Sequence, residues 1–201
     1  MPSQSQYAEG TIMASIHPEL KHSINGVDVQ KLEETIQAIN EDPDMASFTF
    51  NAVNEWVDGA RNKTTVHQYT GGNQTVERQQ PFVLESDEPA SILGGDSAPN
   101  PIVSLMHSLA SSLSVTIVYH AASRGIAIDK LTIAVEGDVD LHGFLGLSKE
   151  VRPGFQDLRV VVDLRSDASR EEVEDLLRYS EKRSSILDSL RNRIPVEVEL
   201  V

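Results

Sequence analysis

The sequence predicts an α+β fold, and three features carry that reading. Residues Phe48 to Leu84 alternate apolar and polar side chains at the period of β-strands, and a long apolar helix pattern opens at Pro101. After Gly125, strand patterns and amphipathic helix patterns follow one another to the C-terminus. Strands grouped first and helices interspersed later describe an α+β chain rather than a regular βαβ repeat.

The elements follow in order. Residues 1–24 are polar and read as a flexible arm, with Ile12, Ile16 and Leu20 as one weak helical stripe. From Asp28, Val29, Leu32, Ile36 and Ile39 recur at helical spacing, between Asn25-Gly26 and Asp42-Pro43. Phe48, Phe50, Ala52 and Trp56 then alternate as a first strand, Asp58-Gly59 marks a turn, and Thr64 to Tyr69 returns. Gly71-Gly72-Asn73 turns the chain into a third strand ending near Phe82-Val83-Leu84, so a three-stranded meander is expected. Glu85 to Pro99, with two prolines and Gly94-Gly95, is a loop delivering the chain to the long helix. Beyond that helix, Ile126 to Glu136 alternates as a strand and Asp138 to Gly154 is a glycine-containing excursion. Leu158, Val160, Val162 and Leu164 form another strand. Ser169 with Glu172 forms a capping box opening a helix through Val173, Leu176 and Leu177. A short helical turn from Ser185 to Leu190 and a last strand through Val196, Val198 and Leu200 complete the chain.

Composition narrows the function classes. Seventeen Lys plus Arg against thirty-one Asp plus Glu leave a formal charge of -14, which repels phosphate backbones and anionic headgroups. Nucleic acid and membrane are therefore not expected partners, and no uninterrupted apolar run approaches the roughly 20 residues of a membrane span. The first residues lack the basic and apolar regions of a secretory signal, so a cytoplasmic location is expected. No cysteine is present, which excludes disulfides, cysteine-zinc sites and thiol catalysis by this chain.

The segment NPIVSLMHSLASSLSVTIVYHAASRG from Asn100, GFLGL at 143–147, VRPGF at 151–155 and EKRSSILDSLRNRIPVEVELV at 181–201 together resemble the OsmC/Ohr family of thiol peroxidases, small proteins that reduce organic hydroperoxides. The likeness runs from about Ile24 to the C-terminus and is to the longer members with an added N-terminal helix. It implies an OsmC-like fold with an N-terminal β-meander, a long buried central helix, a second αββααβ lobe and an intertwined homodimer. It also implies one domain over 25–201: the added helix over 25–46, meander and loop over 47–99, and the central helix with the C-terminal lobe over 100–201. A helix with Leu105, Met106, Leu109, Leu113, Val115, Ile117 and Val118 distributed around it needs enclosure, and a second copy supplies it economically.

The family mechanism needs a reactive cysteine thiolate, an arginine and a glutamate that poise it, and usually a resolving cysteine. By the resemblance, Ser112 stands at the reactive-cysteine position and Ser184 at the resolving-cysteine position. Val103 occupies the usual place of the glutamate, and Arg61 or Lys63 in DGARNK is the candidate for the arginine. A hydroxyl has no stable oxidation state equivalent to a sulfenic acid, so the peroxidase reaction is expected to be absent. The leading expectation is a protein that binds or transforms a small apolar molecule in a dimer-interface pocket, with no cofactor and no metal. Two alternatives stay open: a thiol-dependent, peroxiredoxin-like hydroperoxide reductase whose cysteine at 112 was replaced by engineering, and a divergent non-redox enzyme using Ser112 with His107 and His120. Against a hydrolase stand the absence of a G-x-S-x-G elbow and a serine placed inside a helix. His107 and His120 read more simply as hydrogen-bonded core or interface residues. Asp138, Asp140 and His142 alternate at the spacing of one strand face but read as an exposed acidic edge, and Glu33-Glu34, Glu85 to Glu88 and Glu171 to Glu174 as solvated faces. Gly71-Gly72 and Gly94-Gly95 lack a phosphate-loop context and read as turns.

Overall fold

The structure, a computed structural model, describes residues 23–201. Most of the expected arm, including Ile12, Ile16 and Leu20, lies outside the described residues. Ser23 and Ile24 already belong to a small hairpin: β1 (Ser23–Ile24) pairs with β2 (Val27–Asp28) around Asn25 and Gly26, both at positive φ. The Asn25 amide stitches this hairpin to a distant part of the chain, donating to the Ile126 carbonyl at 2.9 Å and accepting from the Ile128 N–H at 2.8 Å. Helix α1 (Val29–Glu41) begins where the Asp28 carboxylate accepts from the Lys31 N–H. Its apolar stripe is left without a fully buried residue.

The first sheet contains four strands rather than the expected three: β3 (Phe48–Phe50), β4 (Val53–Asp58), β5 (Arg61–Gly71) and β6 (Gln74–Ser86). The pattern from Phe48 to Trp56 breaks at Asn51-Ala52 because the long β5 serves both pieces, β3 along 69–71 and β4 along 61–65. Phe48 lies so close to Gly71 that a β-carbon there would overlap its ring. On its other side β5 pairs with β6, and partners jump from Val66–Phe82 to Gln68–Glu77. Residues 78–81 leave the ladder there, with Pro81 having no N–H to contribute.

The loop after β6 is organised by Asp87, which is 1% exposed. Its carboxylate accepts from the Ser97 hydroxyl at 2.7 Å, from the Ser97 and Gly95 N–H groups at 3.1 Å each, and from the Glu88 N–H at 2.8 Å. Gly94 packs against the Glu88 carbonyl where any side chain would collide. The sequence reading of Glu85 to Glu88 as a solvated acidic face is therefore corrected at Asp87, because four donors compensate a buried carboxylate. Those bonds, led by the Ser97 hydroxyl and N–H, hold its pKa down to about 2 against the opposing effect of burial. A depressed carboxylate stabilises the fold above its ordinary pKa and loses that contribution as pH falls through the folded value. Wild type is thus expected to lose stability between about pH 4 and pH 2, and Asp87→Ala to lower the melting temperature at neutral pH and flatten that acid limb, as thermal melts against pH would measure.

Helix α2 (Pro101–Ser123) starts with Asn100 accepting from the Val103 N–H and Pro101 in the first turn. Its buried residues, Leu109, Leu113, Ile117, Ala121 and Ala122, form one stripe. The expectation of a helix enclosed on all sides is corrected within the protomer: Val103, Val115 and Tyr119 remain about half exposed. The buried stripe packs on an antiparallel hairpin of β7 (Ile128–Val139) and β8 (Phe155–Ser166), through Ile133, Val135, Leu158 and Val160. By length and composition alone α2 is apolar enough to cross a membrane. The excursion between these strands holds a single turn, α3 (Leu141–Phe144), capped by Asp140. Helix α4 (Arg170–Glu181) carries the expected capping box, and Leu176 joins Ile117, Ala121 and Ile126 in one core cluster. Helix α5 (Ser185–Arg191) adds Leu187 to the other cluster, with Leu109 and Leu113. The expected last strand does not form. Val196, Val198 and Leu200 have the alternation, but among the described residues no strand edge meets them and they stay exposed.

Candidate functional site

Ser112 and Ser184, seventy-two residues apart, meet where the middle of α2 faces the start of α5. Their hydroxyl oxygens are 2.9 Å apart, and Ser112 Oγ also lies 3.5 Å from Ser185 Oγ and accepts from the Ile186 N–H at 3.3 Å. Ser184 is fully buried. It occupies the cap position of α5, yet its hydroxyl makes no bond to its own helix and turns to Ser112 instead. The local cause is the tight passage from α4 into α5, where the Ser184 N–H bonds back to the Ser180 carbonyl at 3.0 Å. Ser180 is also fully buried, and its hydroxyl finds no hydrogen-bond partner among the described residues. Two hydroxyls in this arrangement satisfy one another and the Ile186 N–H. They provide no group that a peroxide oxygen can oxidise.

The other candidate residues lie elsewhere in the protomer. His107 Nε2 is 3.4 Å from Ser111 Oγ, not from Ser112, and lines a groove of about 770 Å³ with Leu84, Val103, Ser104 and Ser108. His120 stacks edge-on with Tyr179 at 4.8 Å. Burial, then the charges of Arg124 and Arg183, lower its pKa and favour the neutral ring. Arg61 and Lys63 line a cleft of about 220 Å³ with Asn62, Glu85 and Ser97, and Lys63 Nζ pairs with Glu55 at 3.3 Å. Within one protomer, then, positions 112 and 184 come together, whereas 61, 63, 107 and 120 do not join them.

The acidic triplet does not share a strand face. The strand ends at Val139, so Asp140 turns back to accept from the His142 N–H and lies 2.7 Å from its Nδ1. Asp138 instead joins Glu136 and Asp157 around the Arg159 guanidinium, at 2.7, 2.9 and 2.7 Å. The guanidinium holds the Asp138 pKa below the ordinary carboxylate value. Two contributors escaped the sequence reading. Asp87 was signalled only by Gly94, Gly95 and Ser97 downstream, and Ile186 takes part through a backbone N–H that no residue type announces.

Comparison with known proteins assigns the class. The family model described as OsmC-like protein matches residues 94–199, just over half of the chain, and the chain belongs to this family. Among solved structures, the OsmC-like protein of Mycoplasma pneumoniae superposes with a TM-score of 0.52 at 16% identity, covering 71% of this chain and 87% of that one. Organic hydroperoxide resistance proteins are also among the structural neighbours. OsmC of Legionella pneumophila has a TM-score of 0.46 at 17% identity, covering 71% of this chain and 89% of that one. OhrB of Bacillus subtilis has a TM-score of 0.42 at 17% identity, covering 76% and 98% respectively. At these identities the likeness is one of fold. No curated protein matches the chain.

Proposed function

We propose that this chain is a thiol-free member of the OsmC-like family that works as an intertwined homodimer in the cytoplasm. In this reading residues 25–201 are one OsmC-like domain, and the dimer binds, or acts chemically on, a small apolar molecule at its subunit interface without reducing hydroperoxides. The observation that carries the reading is the Ser112–Ser184 contact: the two positions that the resemblance assigns to reactive and resolving cysteines are adjacent, and both bear oxygen. An alkyl hydroxyl titrates far above neutral pH, so even an approaching peroxide would meet a neutral, non-oxidisable group.

Support for the dimer comes from what the protomer leaves uncovered. Phe50, Trp56, Phe82 and Leu84 of the first sheet are 60–74% exposed, and α2 presents Val103, Val115 and Tyr119. Adjacent exposed apolar residues of this kind, on a sheet face and the helix beside it, mark an interaction surface. The groove containing His107 opens between these same elements, so a second copy would close it into a pocket. The experiment is organic hydroperoxide consumption with a dithiol reductant, run beside sedimentation analysis. Consumption at background level by a dimer is the expected result. Robust turnover by the cysteine-free chain, or a monomer at micromolar concentration, would overturn the proposal.

A further inference from the structure

A separate cavity of about 380 Å³ lies inside the protomer, between α2, β8, α4 and α5. Its walls are aliphatic, including Leu109, Leu113, Val160, Leu177 and Leu187, and among the described residues no aromatic ring contributes. Its polar lining comes from Glu181 and Arg191, whose Oε2 and Nη2 are 3.6 Å apart and whose side chains are partly exposed, so the charged pair sits where the cavity meets water. We propose that this cavity binds a neutral aliphatic amphiphile, a primary alcohol of roughly ten carbons, with its chain among the leucines and its hydroxyl between Glu181 and Arg191.

Size and charge select that ligand class. At about 30 Å³ for each water-sized group, the space holds a chain of roughly a dozen heavy atoms, and aliphatic walls favour a flexible chain over a planar ring. An anionic head would face Glu181 beside Arg191, with the chain's net charge of -14 adding repulsion. A cationic head would face Arg191. A hydroxyl fits both neighbours, since it donates to the Glu181 carboxylate and accepts from the Arg191 guanidinium. All the lining belongs to one protomer, so this site rests neither on the serine pair nor on the dimer.

Isothermal titration of the full chain with decanol, shorter primary alcohols and decanoate tests the proposal. One decanol per protomer is expected, with affinity falling about fourfold for each methylene removed, as burial of an aliphatic chain requires. Decanoate is expected to bind at least about tenfold more weakly than decanol. Glu181→Gln removes the repelling carboxylate from a partly exposed position and is expected to raise decanoate affinity about tenfold. Leu190→Trp, at the exposed rim of the same cavity, is expected to abolish decanol binding while circular dichroism stays unchanged. No saturable decanol binding, wild-type decanoate binding as tight as decanol, or no gain for decanoate with Glu181→Gln would each overturn the assignment.

Discussion

Replacing Ser112 and Ser184 together by cysteine is expected to create a pair that one equivalent of organic hydroperoxide oxidises to a disulfide. The hydroxyl oxygens are 2.9 Å apart, and small side-chain rotations bring two sulfurs at those positions to the roughly 2.05 Å of a disulfide bond. The chemistry balances in two steps. The thiolate introduced at position 112 would take the terminal oxygen of the hydroperoxide, releasing an alcohol and leaving a sulfenic acid; the second thiol would displace water to form the disulfide. Rate is expected to be low, because the resemblance puts Val103 where the family has its glutamate and neither Arg61 nor Lys63 approaches position 112 within the protomer. At an unshifted pKa only a few per cent of the thiol is thiolate at neutral pH, so slow turnover is expected from the pair. Ser112→Cys alone is expected to recover little. Thiol titration before and after peroxide addition reads the outcome: loss of both thiols in the double variant supports the geometry, and two persistent thiols would remove positions 112 and 184 from the functional reading.

A second large effect is expected at the first sheet. Phe82→Asp combined with Leu84→Asp places carboxylates on side chains that are each 60% exposed in the protomer. If the dimer buries the exposed 60% of each, each lost side chain costs about 1–2 kcal/mol, and the four lost per dimer cost roughly 4–7 kcal/mol. That weakens association by at least about five-hundredfold, which shifts the monomer–dimer equilibrium toward monomer at micromolar concentration. Because β4, β5 and β6 pair through backbone bonds, the sheet's strand content should survive in circular dichroism. Sedimentation giving an unchanged dimer mass would place the interface elsewhere.

Local patterns in the chain were enough for most elements. Asp28 and Pro101 marked helix starts, Ser169 with Glu172 a capping box, and Gly72-Asn73 a hairpin turn, because each acts on backbone groups within a few residues. The failures share a cause. The break at Asn51-Ala52 depends on how β5 serves two partners, and the missing strand at Val196 to Leu200 depends on an edge that the described residues do not offer. Alternation specifies which side chains suit a sheet, not whether a neighbouring strand arrives. Asp87 failed similarly, since a carboxylate in an acidic run looks solvated until the donors that enclose it come together from 88, 95 and 97.

The amino-acid sequence by itself determined the chemistry this chain lacks: without cysteine there is no thiolate, whatever the fold. It also determined family membership, through residues 94–199. Only the tertiary structure decided that Ser112 and Ser184 share a hydrogen bond while His107, His120, Arg61 and Lys63 stand apart. It alone shows an aliphatic cavity with an ion pair at its mouth. Residue type sets what a group can do and is local. Which groups meet depends on packing between elements seventy residues apart, and no spacing along the chain encodes that distance.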